Sequence, residues 1–226
     1  MFKQIAFLQW KTSRFAVFML LPLCFGLPIF FLRLADRFTA TEPVGAALPM
    51  LFFIDATSVA FPILAAATGG AIALAAWAWD HRTNHVYALS LPIERWRYAL
   101  MKMGAGAVML LALVAAVLVG SLIAVAVTRL PEGIHAYPLA LTTRFLFAAL
   151  ICYAVTFAFA AGTTRTTVRI FATLFFVLIV GSVVTEIAGR ALGQDLPSPA
   201  VLMGEALATW PGPFNVFGGS WMLIDV

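Results

Sequence analysis

Apolar residues run through this chain in blocks far longer than a water-soluble core element needs, and short polar breaks separate them. Five blocks reach the roughly twenty residues that a helix requires to cross hydrocarbon. They are Phe15–Leu32, Met50–Trp79, Leu100–Thr128, Phe145–Gly162 and Ile170–Ala188. No stretch sustains the two-residue alternation of a membrane barrel strand. Backbone groups in lipid must be satisfied within their own segment, so the blocks are predicted to be transmembrane helices. The second and third exceed one bilayer thickness, which predicts tilt or extension into water. Pro22 and Pro28 fall inside the first block and Pro62 inside the second, and they are expected to kink their helices where neighbouring helices satisfy the freed carbonyls.

The flanks and breaks have their own patterns. In residues 1–14, Lys3, Gln4, Lys11 and Arg14 share one helical face while Phe2, Ile5, Leu8 and Trp10 take the remainder, with Phe7 intruding on the polar sector. That predicts an amphipathic interfacial helix leading into the first span, and no small-residue cleavage site marks it as a removable signal. Residues 190–226 begin polar and proline-bearing and end in Trp210–Val226, which is too short and too broken by Gly and Pro to cross. We read them as an outer-face segment that either resembles an approach to a further span or forms outer-surface or re-entrant helices only.

Composition agrees with the pattern. A chain that is 63% hydrophobic and 11% charged carries more apolar surface than a water-facing globule can bury. The fold class is therefore an all-α integral membrane protein, a single transmembrane domain over 1–226. Cys24 and Cys152 lie inside predicted spans and read as small packing residues. Small-xxx-small pairs, Ala65/Gly69, Ala66/Gly70, Ala67/Ala71 and Ala71/Ala75 in the second span and Ala112/Ala116 and Gly120/Ala124 in the third, are candidates for close helix approach.

Charge sets the orientation. Of the 14 Lys and Arg, Lys3, Lys11, Arg14, Arg82, Arg95, Arg97, Lys102, Arg165 and Arg169 fall on one side of the predicted membrane. Arg33, Arg37, Arg129, Arg144 and Arg190 fall on the other, so the amino terminus is expected to be cytoplasmic. Anionic lipid headgroups account for the net charge of +4 without a nucleic-acid partner.

The break at 80–102 is the most informative segment. It is much longer than a turn between spans and shares the cytoplasmic side with the amino terminus. Pro92 suits a first helical turn, Ser90 lies near its cap, and Ile93, Trp96, Leu100 and Met103 form one stripe at helical spacing. Glu94, Arg95 and Lys102 are expected to face the other way. One reading is a helix that only returns the chain to the bilayer; the other is a docking element that moves two long spans together.

Catalytic patterns are missing. The sequence has no G-x-x-x-x-G-K-[ST] phosphate loop, no G-x-S-x-G elbow and no H-E-x-x-H zinc helix. His81 and His85 stand four apart, yet with three histidines in the chain they read as solvated loop residues, and no metal is expected. Asp55, Arg144 and Glu186 lie inside or at the edge of spans. Intramembrane charges are candidates for ion or substrate contact, and their shallow depth also allows snorkelling or pairing of the carboxylates with Arg144 or Arg33.

An amphipathic amino-terminal helix, two spans, an acidic residue and then Val86-Tyr-Ala-Leu-Ser-Leu-Pro-Ile-Glu-Arg-Trp-Arg-Tyr-Ala-Leu-Met-Lys102 resemble the membrane subunit of ABC-2 type ATP-binding cassette transporters. In that family a Leu-x-Leu-Pro-x-x-Arg stretch belongs to the loop containing the coupling helix. Leu89, Leu91, Pro92 and Arg95 match it here, and Lys102 matches the lysine that leads into the third span.

The resemblance implies a non-catalytic permease subunit of an exporter, with Leu89, Ser90, Leu91, Pro92, Ile93, Glu94, Arg95, Trp96 and Arg97 facing a separately encoded ATPase. It implies two ATPase copies, a second permease subunit, ATP and Mg held by the partner with no cofactor on this chain, and a bacterial cytoplasmic membrane. The family pattern also expects six spans, where this sequence offers five. The alternative function is a structural or assembly membrane protein whose loop docks a partner that is not an ATPase.

Overall fold

The computed structural model describes residues 2–41, 47–83, 94–128, 135–162, 164–192, 196–209, 211–219, 221 and 223–225. They form α1 (Phe2–Thr41), α2 (Ala47–Arg82), α3 (Arg95–Val127), a two-residue β1 (His135–Ala136), α4 (Pro138–Ala160), α5 (Thr164–Leu192), α6 (Pro199–Ala208), a 3-10 turn at Pro213–Phe217 and β2 (Ile224–Asp225). Five helices are long and apolar enough to cross a membrane, over Phe2–Leu34, Thr57–Arg82, Arg95–Val127, Pro138–Ala160 and Arg165–Leu192. The protein is all-α and multi-pass. Pro22, Pro28 and Pro62 lie within helices rather than at their ends.

Two differences from the sequence reading share one physical cause. The amino-terminal segment is the beginning of the uninterrupted α1, and the described part of the expected loop helix is the beginning of α3. Ile5, Gln9, Ser13 and Val17, spaced by four, are buried in one stripe, while Phe2, Phe7 and Trp10 stay exposed. On α3, Tyr98, Lys102, Ala105 and Met109 are buried, while Trp96 and Leu100 are exposed. Helix packing supports both helices beyond the hydrocarbon, because each has a face to bury against the other. The amphipathy of residues 2–14 therefore serves protein contact.

The chain divides into two units, Met1–Ala158 with Gly219–Val226, and Phe159–Gly218. In the first, α1 packs against α2 and α3. Ser13 Oγ donates to the Gln9 carbonyl at 2.7 Å and lies 2.8 Å from Met109 Sδ, and the Phe31 and Phe61 rings lie 6.0 Å apart. Of the three glycines in these small-residue pairs, two make close approaches to backbone. Gly120 of Gly120/Ala124 meets the Phe25 backbone, and Gly69 of Ala65/Gly69 meets the backbone of Ala149 and Tyr153 on α4. A Cβ at Gly69 would run into the Ala149 carbonyl oxygen and lie 2.8 Å from the Tyr153 nitrogen. By contrast Ala67 and Ala112 are exposed.

The end of the chain folds onto this unit. β2 pairs antiparallel with β1, His135 opposite Asp225 and Ala136 opposite Ile224, and the Tyr137 N–H donates to the Leu223 carbonyl at 2.9 Å. Trp221 is fully buried; its backbone N–H donates to Ser58 Oγ at 3.2 Å, and the Arg144 guanidinium lies 4.9 Å from its ring centroid.

In the second unit the apolar stretch of α5 has no buried residue. Thr167 Oγ1 donates to the Phe159 carbonyl at 2.8 Å and the Phe159 and Phe171 rings sit 4.7 Å apart, joining the start of α5 to the residues before it. Ser198 caps α6 by accepting from the Val201 N–H at 3.3 Å, with Pro199 in the first turn where its missing N–H costs nothing.

Candidate functional site

α2 and α3 flank the 80–102 segment, and their facing ends hold a buried ionic cluster. Asp80 is fully shielded in the last turn of α2, and Lys102 is nearly so in the second turn of α3. Their side chains form an ion pair. Tyr98, four residues before Lys102 and on the same face, places its hydroxyl 3.2 Å from both Asp80 carboxylate oxygens and accepts from Lys102 Nζ at 3.3 Å. Trp77, three residues before Asp80, presents its ring 4.3 Å from the ammonium, and the Tyr98 ring stands 5.1 Å from it. Aromatic faces stabilise a desolvated cation through their quadrupoles. The buried charge is thus both paired and hydrogen-bonded, the condition under which such charges persist at the membrane.

All four helices of the first unit meet here. Gln9 of α1, its amide oriented so that both ends are satisfied, donates to the Lys102 carbonyl at 2.9 Å and accepts from the Gly106 N–H at 3.1 Å. A Cβ at Gly106 would collide with the Tyr153 hydroxyl, so the absent side chain is what admits this contact. Tyr153 of α4 donates that hydroxyl to the Met103 carbonyl at 2.9 Å, and Phe157 of α4 stacks 5.2 Å from Trp77. Displacing either end of the 80–102 segment therefore displaces a cross-linked set of helices.

On the other side of the same turn, the start of α3 is open. Glu94, Arg95, Trp96 and Arg97 are all exposed. Glu94 and Arg97 form an ion pair at 3.0 Å, and the Arg97 guanidinium lies 5.2 Å from the Trp96 ring centroid. Leu89, Ser90, Leu91, Pro92 and Ile93 lie outside the described residues. The structure thus presents two faces at this point: a buried one that ties α2 to α3, and an exposed one carrying two arginines and a tryptophan.

The remaining charged candidates are separate from this cluster. Asp55 lies on α2, and its side chain is outside the described set. Arg144, half-buried on α4, covers Trp221 at the far end of the first unit. Glu186 pairs with Arg190 one turn later on α5, at 2.5 Å. Among the described residues no group of His, Cys, Asp and Glu is arranged to hold a metal ion.

Sequence reasoning placed Asp80 at the start of a solvated loop and turned Lys102 toward water. The structure buries both. Opposite charges at the two ends of the break, each with an aromatic residue one turn before it, were the available signal. The chain matches no protein-family model, and no curated protein or solved structure is significantly similar to it.

Proposed function

We propose that this chain is the membrane-spanning permease subunit of an ABC-2 type exporter, and that the 80–102 segment transmits the work of a separate ATPase to α2 and α3. The observation that carries this reading is the pairing of the exposed Glu94–Arg97 turn with the buried Asp80–Tyr98–Lys102 cluster directly behind it. A partner pressing on the first would move two spans as one body through the second. Support comes also from the Leu89, Leu91, Pro92 and Arg95 match to the family's coupling-helix loop, and from the absence of a phosphate loop in the sequence.

In this reading the subunit is non-catalytic. It works in a dimer with a second permease subunit and two ATPase chains that bind ATP and Mg, in a bacterial cytoplasmic membrane, with its amino terminus on the cytoplasmic side by the charge bias. The alternative, an assembly protein docking a partner that is not an ATPase, shares the same exposed turn. Co-purification from native membranes separates the two. A stoichiometric partner bearing a phosphate loop is expected, with no ATP hydrolysis by this chain alone. Hydrolysis by the isolated chain, or a stoichiometric partner lacking that loop, overturns the permease reading.

A further inference from the structure

A groove of about 260 Å³ opens between the amino-terminal turns of α1 and the last turns of α2, lined by Leu8, Lys11, Thr12, Ala78, Trp79 and Arg82. It lies on the opposite side of α2 from the ion pair, since Asp80 points inward to Lys102 while Trp79 and Arg82 are exposed. Lys11 and Arg82 make no ion pair with any described residue. The nearest described carboxylate in sequence, Asp80, is already committed. Two cations converge on one groove with no described anion to neutralise them.

The level of the groove identifies what supplies that anion. Trp79 is 40% exposed and Trp10, beside Lys11, is 41% exposed, on two adjacent helices at the same end. Exposed tryptophans at span ends mark the headgroup layer, where one edge of the ring is apolar and the other wet. At that depth the abundant anion is the lipid phosphate, and the apolar walls from Leu8 and Ala78 suit the glycerol and upper acyl region of the same molecule.

We propose that this groove is a binding site for the phosphodiester headgroup of an anionic phospholipid, held between Lys11 and Arg82 with the Trp79 ring against its glycerol. The site needs only that the helices cross a membrane, and it stands or falls independently of any ATPase partner. A free phosphate would satisfy the same two cations but would leave the apolar walls and the tryptophan uncovered.

Native mass spectrometry of the purified full chain tests it, with phosphatidylglycerol, phosphatidylcholine and inorganic phosphate added in turn. Phosphatidylglycerol is expected to be retained over phosphatidylcholine. A direct, partly exposed ion pair contributes up to about fivefold in binding, so Lys11→Gln and Arg82→Gln should each weaken phosphatidylglycerol retention by about that factor and the pair by roughly thirtyfold. Lys3→Gln with Arg14→Gln removes the same charge from exposed positions outside the groove and should leave retention unchanged. Three results overturn the proposal: wild-type retention by the Lys11/Arg82 double variant, an equal loss in the Lys3/Arg14 control, or displacement of phosphatidylglycerol by inorganic phosphate at matched concentration.

Discussion

Removing one partner of the Asp80–Lys102 pair should destabilise the protein far more than removing both. Unit charges about 4 Å apart attract by about 4 kcal/mol at an effective dielectric of about 20. Breaking a buried pair from one side costs about 3–5 kcal/mol, because the surviving charge is left desolvated. In Lys102→Met the Asp80 carboxylate keeps, among the described residues, the Tyr98 hydroxyl, and we expect a loss of about 3 kcal/mol. In Asp80→Asn the ammonium keeps the Trp77 and Tyr98 rings, which offset about 1 kcal/mol, so the loss should be about 2 kcal/mol. Asp80→Asn with Lys102→Met strands no charge and should lie within about 1 kcal/mol of the native protein, a coupling of about 4 kcal/mol across the cycle. Reversible unfolding of the purified chain in mixed micelles, titrated with sodium dodecyl sulfate, reads all four species. Single variants within about 1 kcal/mol of the native protein, adding simply in the double, would refute the buried-pair reasoning.

Helix packing gives a second expectation: Gly69→Ala should cost about 1–3 kcal/mol in the same titration, because its Cβ meets immovable backbone. Gly26→Ala, with open space around it, should be neutral or stabilising by up to about 1 kcal/mol. Trp221→Ala removes a fully buried side chain, should cost about 3–5 kcal/mol, and should make the last residues of the chain the first site of limited proteolysis; an unchanged cleavage pattern counts against its anchoring role. For orientation, cysteines introduced at Thr83 and Thr166 should react with a membrane-impermeant thiol reagent only after the cytoplasmic side is opened, while those at Thr41 and Gln194 should react in intact cells. Labelling of Thr83 in intact cells would reverse the topology.

Hydropathy was enough to find the spans, because the length of an apolar block answers directly to the thickness of hydrocarbon. It could not place the helix ends. α1 begins at Phe2 and α3 at Arg95, and what extends them past the apolar blocks is mutual burial of faces that include Gln9 and Lys102, residues a hydropathy scale assigns to water. Small-residue spacing offered six pairs, of which Gly69 and Gly120 mark backbone approaches. The rest have the same spacing, and nothing in one sequence says which helix face meets a neighbour.

The exposed part of the candidate site was legible from composition, since Glu94, Arg95, Trp96 and Arg97 form a charged and aromatic turn in an otherwise apolar chain. Its buried support was not. Asp80 and Lys102 are separated by a long polar segment, and their pairing exists only once α2 and α3 lie side by side. The closing of the chain over Trp221 was equally hidden, because a Gly- and Pro-rich tail has no periodicity to announce which of its residues is buried.

The proposed role of the 80–102 segment as a link to an ATPase is tested most directly by Arg95→Glu in the complex isolated from native membranes. Arg95 is exposed beside the Glu94–Arg97 pair, so reversing its charge should alter a docking surface without disturbing the buried cluster. Recovery of the phosphate-loop partner and ATP hydrolysis are measured on one preparation, with the unfolding midpoint as a control for folding. We expect a native midpoint together with a loss of partner recovery or of chain-stimulated hydrolysis. Native recovery and native hydrolysis in the Arg95→Glu protein would contradict the coupling role.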